Sequence, residues 1–227
     1  MNIVGSLSVN QSKAAVTTST LFRLAGLSAV VAGLCFIIIG LFHQVNVPAS
    51  VTTATWANVH IAATVMGYFG ILGLTGLYAR QVGKAGWLGL AGFVMFSLWL
   101  AAVMAFSLVE AFILPGLAAE SPAFVAGFLG MFTKVPSAVD LSALPMIWQV
   151  SGLLYIAGPL LFGIATFRAA VLSRWAGLLL ALAAVLTPAA ALLPAEYEPL
   201  IMVPVGLAMT WLGVSLFTER RRNASQG

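Results

Sequence analysis

The chain has 227 residues, 61% of them hydrophobic and only 7% charged, with a formal net charge of +4. A soluble domain typically carries about 25% charged residues, so water is not the solvent for most of this surface. The apolar runs are too long for strands and lack period-two alternation, which excludes a barrel, and no basic stripe interleaves with exposed aromatics to suggest a nucleic-acid partner.

What remains is an all-α, polytopic transmembrane bundle, with the lipid bilayer as its first partner. Residues 1–20 are small and polar and are expected to form a disordered cytoplasmic tail. Six spans are predicted at 21–42, 57–79, 86–114, 145–167, 171–193 and 198–217, together forming one membrane domain over 21–217. The apolar core of the first, Leu24 to Phe42, exceeds the h-region of a signal peptide, so it is read as a retained span. Its single cysteine, Cys35, has no disulfide partner in the chain and reads as a packing residue. Residues 218–227 form a basic tail.

The basic residues set the orientation. Lys13 and Arg23 precede the first span, Arg80 and Lys84 lie between the second and third, Arg168 and Arg174 between the fourth and fifth, and Arg220, Arg221 and Arg222 follow the sixth. Of the ten Lys and Arg, only Lys134 falls on the other side, so both termini are expected in the cytoplasm and the protein in the inner membrane. Residues 43–56 form a polar outer loop. The longer outer segment 115–144 contains "SPAFVAGFLGMFT", with Ser121 as a helix cap, Pro122 at the first helical position and Phe124, Phe128 and Phe132 on one face. This predicts a short interfacial helix that lies on the outer leaflet or caps the bundle.

Within the spans, Gly67, Gly70, Gly73 and Gly76 predict close helix approach. His60, Thr64 and Gly67 share one face, as do Ser107 with Glu110 and Gln149 with Gly152. Pro188 and Pro204 are expected to kink the last two spans. Arg80, Trp87, Gly89 and Leu90 recur 88 residues on as Arg168, Trp175, Gly177 and Leu178, which either a parallel duplication or the common needs of two inner turns would produce.

Glu110 is the most informative residue. It is the only charge between Lys84 and Glu120, and it lies about 6 Å inside the outer edge of its span. A carboxylate there must face protein or water, find a partner, or keep its proton. His43, Asn58, His60, Trp148, Gln149, Glu196, Tyr197 and Glu198 stand at the same outer level. Three readings are open. Glu110 only pins helices by bonding to His60 or Gln149; or His60, Glu110 and Gln149 line an outward vestibule for a small-molecule ligand or proton-linked transport; or His43 and His60 ligate a haem, or the two histidines and Glu110 hold a metal. No HxxxH, HExxH or CxxCH spacing supports the last, and no motif of a known catalytic class is present, so a non-enzymatic role is expected. The glycine stripe would serve equally inside one bundle or against a second copy or another membrane protein.

The stretches "GLYARQVGKAGWLGLAGF" (76–93), "LPMIWQVSGLLYIAGPLLFGIATFRA" (144–169) and "VPVGLAMTWLGVSLFTERR" (203–221) resemble a broad class of bacterial six-span membrane proteins known as domains of unknown function. The resemblance implies a bacterial cytoplasmic-membrane protein and carries no catalytic residues with it.

Overall fold

The computed structural model describes residues 16–224, with side chains through Thr218. The predicted disorder of the N-terminal tail falls almost wholly on residues outside this range. Every regular element is a helix, and no strand occurs among the described residues. Five helices are long and apolar enough to cross a membrane.

Helix α1 (Thr18–Phe42) opens on a Thr17 side chain that accepts the Thr20 N–H. A short α2 (Pro48–Val51) follows in the next loop. Helix α3 (Ala54–Leu108) has 55 residues, about 80 Å of helix, far more than a bilayer core of about 30 Å. It does not run straight. Gly86 adopts φ 60° and ψ −162°, a conformation that favours glycine, and the chain reverses there. A Cβ on Gly67 in the first arm would lie 2.8 Å from the Leu100 carbonyl in the second, so the arms pack antiparallel. The inner turn expected over residues 80–85 is therefore helical through Ala85, and one residue makes the reversal.

The second arm continues through a π-helical turn, Val109–Ile113, into α4 (Leu114–Glu120). Helix α5 (Pro122–Thr133) is the short apolar helix foreseen around the Phe triplet, although the Ser121 side chain makes no capping bond. Helices α6 (Leu144–Ala169) and α7 (Arg174–Leu186) follow. At Thr187, with Pro188 in the first turn, α7 tightens into a 3-10 helix, Thr187–Leu192, as expected where proline removes a backbone donor. A second 3-10 turn, Glu198–Ile201, leads into α8 (Met202–Ala224). Pro204 does not kink this helix. It lies in the first turn, where its missing N–H has no helical acceptor to lose. The interior proline is Pro159 of α6. Helix α8 also runs on into the segment read as a tail.

Close approaches of small residues give the register. A Cβ on Gly33 would lie 2.6 Å from the Gly206 carbonyl, and one on Gly206 would lie 2.6 Å from that of Gly33. Gly26 and Gly213 repeat the contact one heptad away, so α1 and α8 are antiparallel with backbones touching. Gly73 meets Ala29 of α1, Gly158 of α6 meets Phe96, and Gly163 of α6 meets Gly177 of α7. The Ser173 N–H, at the start of α7, donates to Ser215 Oγ of α8 at 3.1 Å. The six helical arms thus form a closed ring in chain order, filled by one apolar cluster in which Trp99 stacks on Phe36 and Tyr155 at 5.7 and 4.3 Å between centroids. The start of α1 and the end of α8 share one end of the ring. The 88-residue repeat is not matched in the backbone: Arg80 lies in a helix that runs on to Ala85, whereas Arg168 stands in the last turn of α6.

Candidate functional site

The end of the ring opposite the start of α1 holds its most unusual polar group. Thr53 starts α3 by accepting the Trp56 N–H at 3.1 Å, which fixes the direction of the first turn. Trp56 is fully buried, and its indole Nε1–H donates to the Glu110 carbonyl at 2.9 Å. That carbonyl belongs to the π-helical turn. The wider turn breaks the regular ladder, and the indole supplies a partner from the other arm.

One turn after Trp56, His60 lies 2% exposed, its Nδ1 2.8 Å from the Trp56 carbonyl and its ring 4.1 Å from the indole. A carbonyl only accepts, so this contact assigns the hydrogen to Nδ1. Nε2 then faces Glu110 Oε1 at 3.5 Å, an ion-pair distance, and makes no hydrogen bond among the described residues. Glu110 is 6% exposed. With Nδ1 committed, neutral His60 offers a lone pair to the carboxyl group. The approach is attractive when one proton resides on Nε2 or on the carboxyl, and repulsive when it resides on neither.

His43 caps α1 just outside its last turn, with its backbone N–H on the Ile39 carbonyl at 3.0 Å. Its half-buried ring meets that of His60 edge to face, 5.2 Å between centroids. Burial, then repulsion from His60, pushes its pKa down to about 4, against a backbone hydrogen bond at Gln44 that acts upward. His43 is therefore neutral at pH 7.

The surroundings are closed. Phe128 of α5 is buried, and Phe124, Phe132, Phe106 and Trp148 pack round it with Trp56 in a second apolar cluster. Helix α6 joins this aromatic cap through Trp148, 4.6 Å from Phe132. Gln149 points away: it and Gly152 are exposed, and a Cβ on Gly152 would meet nothing within 4 Å. Asn58, Glu196, Tyr197 and Glu198 are exposed as well. Of the three proposed ligand-binding residues, the structure brings His60 and Glu110 together and leaves Gln149 on the outer face.

The metal and haem readings find little support. No group of three or more His, Cys, Asp or Glu is placed to hold a metal among the described residues. His43 and His60 touch edge to face, which leaves no room for a macrocycle between them.

Sequence reasoning missed Trp56, because an aromatic residue at a span end reads as an interfacial anchor. It also missed Gln81, whose Nε2–H donates to Thr166 Oγ1 at 2.8 Å and ties α3 to α6 near the Gly86 reversal. The signal was present: Leu74, Leu77 and Gln81 recur at helical spacing on the buried face. In comparisons with known proteins, the chain matches no family model, no curated protein and no solved structure.

Proposed function

We propose that this is a six-span protein of a bacterial cytoplasmic membrane with both termini inside, in which His60 and Glu110 form a buried proton-binding site at the outer end. Its activity is the proton-linked binding or transport of a small molecule on the outer side. The six spans are the five long helices with the second counted as two arms, since 55 residues reversed at Gly86 suit two crossings. The orientation rests on Arg23, Arg80, Lys84, Arg168 and Arg174 standing at one end and Glu110, Glu120, Asp140, Glu196 and Glu198 at the other. Helix α5 is assigned to the outer interface as a lid over the aromatic cap.

One observation carries the proton-linked reading: His60 Nε2 lies 3.5 Å from Glu110 Oε1, both groups buried, while Nδ1 is committed elsewhere. Ionisable pairs within membranes mark proton relays and ligand sites more often than structural struts. The burial of both groups supports a second reading, in which they pin the two arms of α3 and nothing more. Such polar contacts in membranes are worth about 0.6–2 kcal/mol.

Infrared difference spectra of the purified protein, recorded across roughly pH 5–8, separate the two. A protonated-carboxyl band that changes with pH and disappears in a folded Glu110→Gln variant is the expected result. A pH-invariant spectrum, with Glu110→Gln altering the melting temperature alone, would leave only the pin.

A further inference from the structure

At the opposite end of the ring, Lys84, Ala85, Gly86, Trp87, Leu88, Ala165 and Arg168 line a partly open cavity of about 250 Å³. We propose that it binds a phosphate group, presented by the headgroup of an anionic phospholipid. Two elements supply its cations: Lys84 comes from the turn of α3 and Arg168 from the last turn of α6. No carboxylate is in the lining, and neither cation has a hydrogen-bond or ion-pair partner among the described residues. A guanidinium presents paired donors to phosphate oxygens and an ammonium a mobile point charge.

The backbone contributes too. The break at Gly86 starts a new helical arm, whose positive dipole end lies at Trp87 and Leu88 on the cavity wall. Gly86 has φ 60°, and a Cβ there would meet nothing within 4 Å, so its side is open space for a ligand.

Size and surroundings favour a lipid as the carrier. The cavity falls below the roughly 300–1,000 Å³ of sites that enclose a whole drug-sized ligand, so it suits a headgroup whose chains stay outside. Trp87 is 86% exposed at its rim, an indole placed where headgroups meet hydrocarbon. Leu88, one residue on, carries the wall toward the apolar flank of the second arm. The proposal needs the protein to lie in a membrane, but neither the His60–Glu110 reading nor a particular orientation.

The test uses the full chain in nanodiscs of phosphatidylcholine with a minor fraction of phosphatidylglycerol, released into native mass spectrometry to count retained lipids. Wild type is expected to keep phosphatidylglycerol in preference to phosphatidylcholine. The Lys84→Gln, Arg168→Gln double variant should lose that preference by about tenfold or more, at about 1 kcal/mol per basic residue. A variant with Arg220, Arg221 and Arg222 changed to Gln should keep it. Both cations are exposed, so folding of the variants is expected, and gel filtration checks it. Equal losses in the two variants, or no lipid preference in wild type, would overturn the site. Displacement of the lipid by millimolar inorganic phosphate would confirm recognition of the phosphate. If phosphate alone protected against heat in wild type, not in the double variant, and phosphatidylglycerol added nothing, the lipid as carrier would be overturned in favour of a soluble phosphate.

Discussion

At the scale of the residue, the candidate site brings together the rings of His43, Trp56 and His60 and the Glu110 carboxyl group. His43 titrates near 4 in the folded chain against an ordinary 6.5. Between those values the unfolded chain holds a proton there and the folded chain does not. Its neutral ring thus leaves stability intact above about pH 6.5, and stability falls as the pH drops toward 4, by at most about 3 kcal/mol and less with the screening of a half-buried group. Melting in detergent is expected to weaken over that interval, and His43→Gln should flatten part of the slope. Unchanged slopes in wild type and variant would show that the His43 ring is solvated. Trp56 makes a separate prediction. Trp56→Phe keeps a ring on His60 but leaves the Glu110 carbonyl without its donor, at a cost of about 1–3 kcal/mol. A variant that melted like wild type would mean that water or another group had taken the indole's place. His60 and Glu110 were legible in the sequence because each interrupts an apolar span. Their partner was not, because nothing local distinguishes an indole that donates inward from one that anchors at the interface.

At the scale of the element, backbone proximity does what apolar burial does in water. Lipid tails are as apolar as leucine, so helices associate through close packing. The α1–α8 seam shows it, with Gly33 and Gly206 each too near the other's carbonyl to admit a methyl group. Gly206→Ala is expected to cost about 1–3 kcal/mol through forced separation of the helices. Gly152→Ala should be neutral or gain up to about 1 kcal/mol, since it faces open space within a helix. Denaturation in mixed micelles would rank the two. A Gly206→Ala protein as stable as wild type would mean that the seam can open freely. The long apolar helices were legible, because length and hydropathy suffice to find them. The place of the first inner reversal was not. A polar stretch from Arg80 to Ala85 has the composition of a loop, but it stays helical until Gly86 supplies the left-handed conformation. The π-helical turn left no trace either, since a widened turn needs no special residue.

At the scale of the whole molecule, the arrangement follows from closure. Each arm runs antiparallel to the next, and α8 returns to lie against α1. A closed antiparallel ring requires an even number of arms, so the α3 hairpin must count as two crossings if the other four long helices each count as one. Closure favours the proposed six-span topology, under which residue 83 of α3 and residue 134 lie on opposite sides of the membrane. Under the same proposal the distribution of charge puts the first in the cytoplasm, an inference available from sequence because it needs only the order of basic residues and spans. Cysteine labelling can test both steps at once. The sole native thiol, Cys35, is buried in the ring and can be replaced by Ser. In that background, Gly83→Cys and Lys134→Cys each place a thiol at an exposed position. A membrane-impermeant maleimide applied to intact cells should label Lys134→Cys at once and Gly83→Cys only after the membrane is opened. The reverse pattern would invert the orientation while keeping six crossings, and would move the His60–Glu110 pair to the cytoplasmic end. Labelling of both in intact cells would place the two loops on one side. The second arm of α3 would not then cross, and the six-span proposal would be overturned.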